Sequence, residues 1–152
     1  MTPVGKLLRD SWVGRGVAVN PPAPSAAVEA FESKYQLRLP PDLRDYFLTV
    51  NGMLDGESDD DLLSFWPLES LVPAADEPEL WPGVPDPSVC FAFADYFIVS
   101  NVFAIQLSRS DASTPIYVND DPTPVAHSFA EFATLTLASS IPEILTRHYQ
   151  SS

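Results

Sequence analysis

Through the first fifty residues, apolar positions recur every three or four places; beyond residue 60 they gather into short runs. Leu7, Leu8 and Trp12 fall at helical spacing, which predicts a short helix over residues 4–12. Asn20-Pro21-Pro22-Ala23-Pro24 then forbids regular structure, since each proline fixes its backbone and removes a donor. From Ser25 the spacing is again helical: Ala27, Val28, Phe31 and Tyr35 form the apolar face, while Glu29, Glu32 and Lys34 lie elsewhere. Ser25 is of the type that caps a helix N-terminus. Gln36-Leu37-Arg38-Leu39-Pro40 leaves that helix, and Pro41 suits the first turn of the next, where its missing N–H does no harm. Leu43, Tyr46, Phe47 and Val50 mark the buried face of this third helix, and Asn51-Gly52 supplies residues that tolerate a helix-ending left-handed turn.

After an acidic loop from Asp55 to Asp61 the period shortens. Leu62 to Trp66 reads as a strand ended by Pro67, followed by a short helical turn over residues 68–74 and a loop rich in proline and acid over residues 75–87. Val89–Phe93, Phe97–Val99 and Val102–Leu107 read as successive strands, with Asp95-Tyr96 and Ser100-Asn101 as the turns between them. Pro115–Val118 gives another short strand and Pro124–Ala126 one more. A capping box, Ser128 with Glu131 three residues on, opens a helix carrying Phe129, Phe132, Leu135 and Leu137. Pro142 can start a terminal helix with Ile144, Leu145 and Tyr149. This order predicts an α+β fold: N-terminal helices, then a mainly antiparallel sheet with C-terminal helices packed on it.

Composition narrows the class. The 152 residues are 45% hydrophobic and include nine Phe, five Tyr and three Trp, which is too apolar for a disordered chain and fits one domain over residues 1–152. With a single cysteine, Cys90, no internal disulfide can form. The start of the chain shows no basic segment followed by a long apolar run, and no apolar run approaches the roughly 20 residues of a membrane helix, so the expectation is a soluble, cytoplasmic protein. Charge adds the sharpest constraint. Residues 1–50 are close to neutral, whereas residues 51–152 hold two basic (Arg109, Arg147) and sixteen acidic side chains, a net of −14. Such a field repels phosphate and anionic lipid and attracts cationic partners, which argues against nucleic acid and membranes. The same charge equally serves solubility alone, so it does not by itself decide for a binding role.

The candidate chemistry is thin. Asp55, Glu57, Asp59 and Asp61 occupy alternate positions, like the start of a calcium loop. The sixth position, however, is Asp60 where glycine is needed, and the twelfth is Trp66 where a bidentate glutamate is needed. A solvated loop is the better reading. His127 and His148 sit at a helix entrance and in the C-terminal tail, and nothing flanking Cys90 would lower a thiol pKa. No nucleophile elbow or phosphate-cradling glycine loop is present. The expectations are therefore no catalytic residue, no cofactor and no metal. Trp81, in Glu77-Pro78-Glu79-Leu80-Trp81-Pro82, has two readings: an exposed anchor for a partner, or a cover folded back over the sheet.

The stretch from Val28 to Leu43, with Phe31, Tyr35, Leu37, Leu39-Pro40-Pro41 and Leu43, followed by Tyr46-Phe47 and Asn51-Gly52, resembles the N-terminal signature of the SUKH superfamily. Phe65-Trp66-Pro67-Leu68-Glu69, Phe93–Phe97, Tyr117-Val118 and Ser128–Phe132 resemble its later segments in the same order, so the resemblance covers residues 25–137. The chain departs from the pattern at Gln36, where the family often has glycine, and at Met53, where a second glycine often follows Asn-Gly. The resemblance implies helices packed on an antiparallel sheet and a non-catalytic, protein-binding role. Bacterial members are mostly immunity proteins that neutralise toxins, often nucleases; fungal members include regulators of cell-wall synthesis. Combined with the charge, this makes a cationic toxin domain the expected partner, with a regulatory or scaffold module as the alternative. The candidate partner-binding residues are Asp55, Glu57, Asp59, Asp60, Asp61, Asp76, Glu77, Glu79, Trp81, Asp120 and Asp121.

Overall fold

Leu8 and Trp12 bury one face of α1 (Val4–Gly14), Val28 anchors α2 (Ser25–Tyr35), and Leu43, Tyr46 and Phe47 line α3 (Pro41–Thr49). The computed structural model describes residues 3–97, 100–107 and 114–151. Five strands follow: β1 (Leu63–Phe65), β2 (Val72–Pro73), β3 (Cys90–Tyr96), β4 (Asn101–Gln106) and β5 (Ile116–Val118). They form one antiparallel sheet in the order β1-β3-β4-β5, with β2 also paired to β3. α4 (Phe129–Ala138) and α5 (Ile141–Ser151) close the chain. The architecture is α+β, as the hydrophobic pattern predicts. No helix among the described residues is long and apolar enough to cross a membrane.

Three acids in the signature region join the helices. Asp45 of α3 accepts the Gly5 N–H at 3.0 Å, so one helix caps the start of another. Asp42 accepts the Ala130 N–H at 2.8 Å at the start of α4, and Glu32 of α2 accepts the Leu39 N–H at 2.8 Å while pairing with Arg44. Gly5 permits the α1–α3 approach, because a Cβ there would lie 2.9 Å from the Thr49 Cβ and 3.0 Å from the Tyr46 Cα. Gln36, where a glycine is common in the resembling pattern, takes the left-handed conformation itself (φ 53°).

The sheet buries both faces. Phe91, Phe93, Phe103, Ile105 and Val118 meet Phe129 and Phe132 of α4 in the main core. Cys90, Ala92, Ala104 and Tyr117 form a second cluster on the other face, under Ala74, Trp81 and Val84. The proline-rich loop supplies that cover, as short 3₁₀ turns at Ala74–Asp76, Pro78–Leu80 and Pro87–Val89.

Some expected boundaries move. Ser25 is the first helical residue rather than the cap; Pro24 precedes it, with no side-chain cap bond. Asp95-Tyr96 is not a turn but the end of β3, and the turn begins at Phe97; of the expected strand Phe97–Val99, Ile98 and Val99 lie outside the described residues. The cause is a β-bulge, a register shift between Ala92 and Ala94. Strict alternation would aim Asp95 into the main core; the extra residue puts Phe93 and Ala94 both on the core side and sends Asp95 to the opposite face. The capping box does form, with Ser128 Oγ accepting the Glu131 N–H at 3.0 Å.

Candidate partner-binding groove

A groove of about 730 Å³ opens beside β1, on the face of the sheet to which the bulge turns Asp95. Met53, Leu54, Leu62, Trp66, Val72 and Phe97 give it apolar walls, and Asp55, Glu57 and Asp95 give it negative charge. Trp66 is held in place: its indole N–H donates to Asp95 Oδ1 at 2.6 Å. The loop before β1 is anchored as well, since Glu57 Oε1 accepts the Ala18 N–H at 2.8 Å and the Leu54 N–H donates to the Ala18 carbonyl at 3.1 Å.

The residue pair Asn51-Gly52 positions the groove floor. Asn51 Oδ1 accepts the buried Leu68 N–H at 2.7 Å, its amide nitrogen donates to Glu69 at 3.1 Å, and Asn20 donates to the Asn51 and Met53 carbonyls. Gly52 (φ 71°) then passes so close to the next segment that a Cβ would lie 2.7 Å from the Trp66 carbonyl carbon and oxygen. Asn-Gly here ties the end of the helical region to the strand carrying Trp66, rather than simply ending α3, whose own cap is the extended Val50.

Leu62 and Phe97 are the unusual members. Each lies one residue beyond a strand, each is non-glycine with positive φ (66° and 53°), and each is exposed, at 44% and 54%. The Phe97 N–H donates to the Leu62 carbonyl at 2.9 Å, so the two left-handed residues are coupled across the strand ends. Bulky residues in this region are held there only when surrounding structure dictates it. Leu54, 44% exposed, adds a third apolar side chain to the rim.

The sequence-derived candidates divide by what their side chains already do. Asp55 and Asp60 are exposed. Glu57 is committed to the Ala18 N–H on one oxygen. Asp59 is 7% exposed, and its Oδ1 accepts both the Asp61 N–H at 2.9 Å and the Leu63 N–H at 3.0 Å; it holds the edge of β1 rather than facing solvent. Burial raises the Asp59 carboxyl above the usual range, against the opposing pull of the Leu63 and Asp61 N–H groups. Asp61 is half-buried.

Beyond β5, at the opposite edge of the sheet from β1, the Asp120 N–H donates to the Leu80 carbonyl at 2.9 Å, which joins the loop of Asp76, Glu77 and Glu79 to that of Asp120 and Asp121. Asp76, Glu79 and Asp120 are exposed there and Glu77 half-buried. Asp121 instead bonds His148 Nε2 at 2.8 Å. Burial would raise its carboxyl, but the Thr123 N–H and the His148 ring outweigh burial and hold it below the usual range. Trp81 is 4% exposed and packs into the second cluster, so the exposed-anchor reading gives way to the cover over the sheet.

Trp66, Asp95, Leu54, Leu62 and Phe97 are what the sequence pattern passes over. Leu62, Trp66 and Phe97 read as strand residues and Asp95 as a turn; only the bulge and the two left-handed backbones bring them to one groove. Neither His127 nor Cys90 lines it. The Cys90 thiol is pushed up to about 12 by burial, so it is protonated and inert at neutral pH. Among the described residues, no three His, Cys, Asp or Glu side chains gather in a way that could hold a metal ion.

No curated protein matches the chain. A family does: the match to the SMI1 / KNR4 family (SUKH-1) runs over residues 22–134, about three quarters of the chain, from the prolines before α2 to the middle of α4. The span takes in the acids that join the helices, the Asn51-Gly52 tie, the sheet and the groove, and on that match the chain belongs to the SMI1 / KNR4 family (SUKH-1).

Proposed function

We propose that this chain is a non-catalytic protein-binding domain of the immunity type, one that neutralises a cationic, nuclease-type toxin in the cytoplasm through its acidic loops. Family membership fits a protein-interaction or immunity role in general. The observation that carries the specific reading is the pairing of charge with exposed apolar surface: residues 51–152 have a net charge of −14, and within them Leu54, Leu62 and Phe97 stand exposed around an acid-lined groove. Charge brings a basic partner in quickly, and apolar contact then slows its release. Asp55, Glu57, Asp60 and Asp61 serve the groove side; Asp76, Glu77, Glu79 and Asp120 serve the far loops. Asp59, Asp121 and Trp81 support those loops from within.

The test is a pull-down from native lysate with low- and high-salt washes, followed by assay of the captured protein's nuclease activity with and without this chain. A basic partner that leaves with salt and is inhibited by stoichiometric addition supports the proposal. A neutral or acidic partner that persists in salt refutes it and favours a regulatory scaffold. On the captured partner, Asp55→Lys with Asp60→Lys and Asp61→Lys should slow association and flatten its salt dependence; unchanged rates would exclude the groove-side loop.

A further inference from the structure

The groove has a more specific chemistry than an acidic surface. Its walls combine an indole (Trp66), a phenyl ring (Phe97) and aliphatic side chains (Leu54, Leu62, Val72), while Asp55 on its lining is exposed and makes no hydrogen bond or ion pair among the described residues. Glu57 keeps one oxygen beyond the one that holds Ala18. A purely apolar occupant would leave these carboxylates desolvated without partners, which is unfavourable. A lysine would satisfy them, but its compact, strongly hydrated ammonium gains little from flat aromatic walls. Arginine matches both halves: its stem lies along apolar surface, its planar guanidinium stacks on aromatic rings, and its donor fork pairs with a carboxylate.

We infer that the groove seats an arginine side chain from a cationic segment of the partner, with Leu62 and Phe97 flanking its stem and Asp55 pairing with its guanidinium. The left-handed backbones of Leu62 and Phe97 are the second line of support. Two bulky residues at positive φ, bonded to each other at 2.9 Å and both exposed, are not what core packing would select. Both face the same groove, so the strain fixes its rim before a partner arrives. The inference rests on the cationic-partner reading above and adds the side chain that the partner presents.

The test needs no toxin. The full chain, isotopically labelled, is titrated at low salt with N-acetyl-L-arginine amide, N-acetyl-L-lysine amide and N-acetyl-L-leucine amide, following backbone and indole N–H shifts. The expected result is saturable shifts at the Trp66 indole and along residues 54–58 with the arginine compound, binding about threefold or more tighter than lysine, the size of an exposed cation–π contact. Phe97→Gly, which suits the positive φ and so keeps the fold, and Asp55→Asn should each weaken that binding. Equal arginine and lysine effects spread over every acidic loop would overturn the inference in favour of bulk charge. Leucine binding as tightly as arginine would overturn it in favour of an apolar slot, and a groove that shifts with none of the three would overturn it outright. Because the toxin is absent from this experiment, its failure leaves the inhibitor proposal standing, and a failed pull-down leaves the groove chemistry standing.

Discussion

Replacing Gly52 with alanine strikes the point where the helical region is tied to the groove. Two effects add. At φ 71° a side-chain-bearing residue is disfavoured by about 1–2 kcal/mol. The new Cβ would also lie 2.7 Å from the Trp66 carbonyl carbon and oxygen and 2.8 Å from the Pro67 nitrogen, all backbone atoms. That segment has little freedom to retreat, because the Phe65 carbonyl accepts from Met53 at 2.9 Å and the buried Leu68 N–H donates to Asn51 at 2.7 Å. Breaking the latter leaves a buried donor unsatisfied, at about 1–3 kcal/mol. The expected loss is therefore about 2–5 kcal/mol in total, a large share of a typical domain's stability, or a fall in Tm of about 4–20 °C. Denaturant unfolding followed by tryptophan fluorescence measures it. Gly56→Ala is the internal control: its φ is 83°, but nothing lies within 4 Å of the added Cβ, so only the conformational part, about 1–2 kcal/mol, should appear. If both variants lose the same amount, the close approach to Trp66 is not why this position is glycine.

Asp59→Ala should cost about 2–4 kcal/mol, since the Leu63 and Asp61 N–H groups lose a charged acceptor, whereas Asp59→Asn should nearly match wild type because an amide oxygen can accept both; equal losses on unfolding would refute the assignment. The same residue has a pH signature: its raised folded pKa means that protonation favours the folded state between that value and the unfolded 3.8, so the Asn variant should remove a small rise in stability as pH falls toward 3.8. Asp121 has the opposite sign. Its depressed folded pKa adds stability above 3.8 that is lost as pH falls through the folded value, so Asp121→Asn should flatten acid unfolding below 3.8, and an unchanged acid limb would contradict the His148 and Thr123 contacts. Trp81→Ala should lose about 3–5 kcal/mol as a core residue, where an exposed anchor would lose almost nothing in the same unfolding experiment. Leu62→Gly and Phe97→Gly should each stay within about 1 kcal/mol of wild type, relief of the positive φ offsetting lost contact and added chain entropy; losses above 2 kcal/mol would mean that these side chains are packed rather than strained.

The helical third was legible because its signals are local. Val28 and the Leu43-Tyr46-Phe47 face show their period, and Pro41 marks its boundary, without help from the rest of the chain. β3 was only half legible. Asp95 carries turn chemistry, and no neighbour in sequence announces the bulge or the Trp66 indole, 29 residues away, that keeps it in the strand. The acids were the hardest to read. Asp59, Asp60 and Asp61 are equivalent in composition, yet only Asp59 turns inward to hold the edge of β1, and that depends on where β1 begins. Trp81 in an acidic, proline-rich loop leaves both readings open, partner anchor and cover, until the second face of the sheet is seen to need a cover.

The formal charge therefore overstates what the surface offers a partner, and the difference follows a rule. Acids that meet a backbone N–H are spent on the fold: Glu32, Asp42 and Asp45 join helices, Glu57 and Asp59 shape the groove loop, and Asp121 holds a turn against α5. Neutralising these changes stability first and recognition second. Asp55, Asp60, Asp76 and Glu79 are exposed and meet no side-chain partner among the described residues, so their charge acts on whatever approaches. The same division applies to the apolar residues around the groove. Trp66 is tethered to Asp95 and holds one wall, while Leu62 and Phe97 are exposed on strained backbone that stability alone would give to glycine or asparagine. Where exposed carboxylates and strained apolar side chains meet at one groove, stability has been given up for surface, and that is where a partner should be sought.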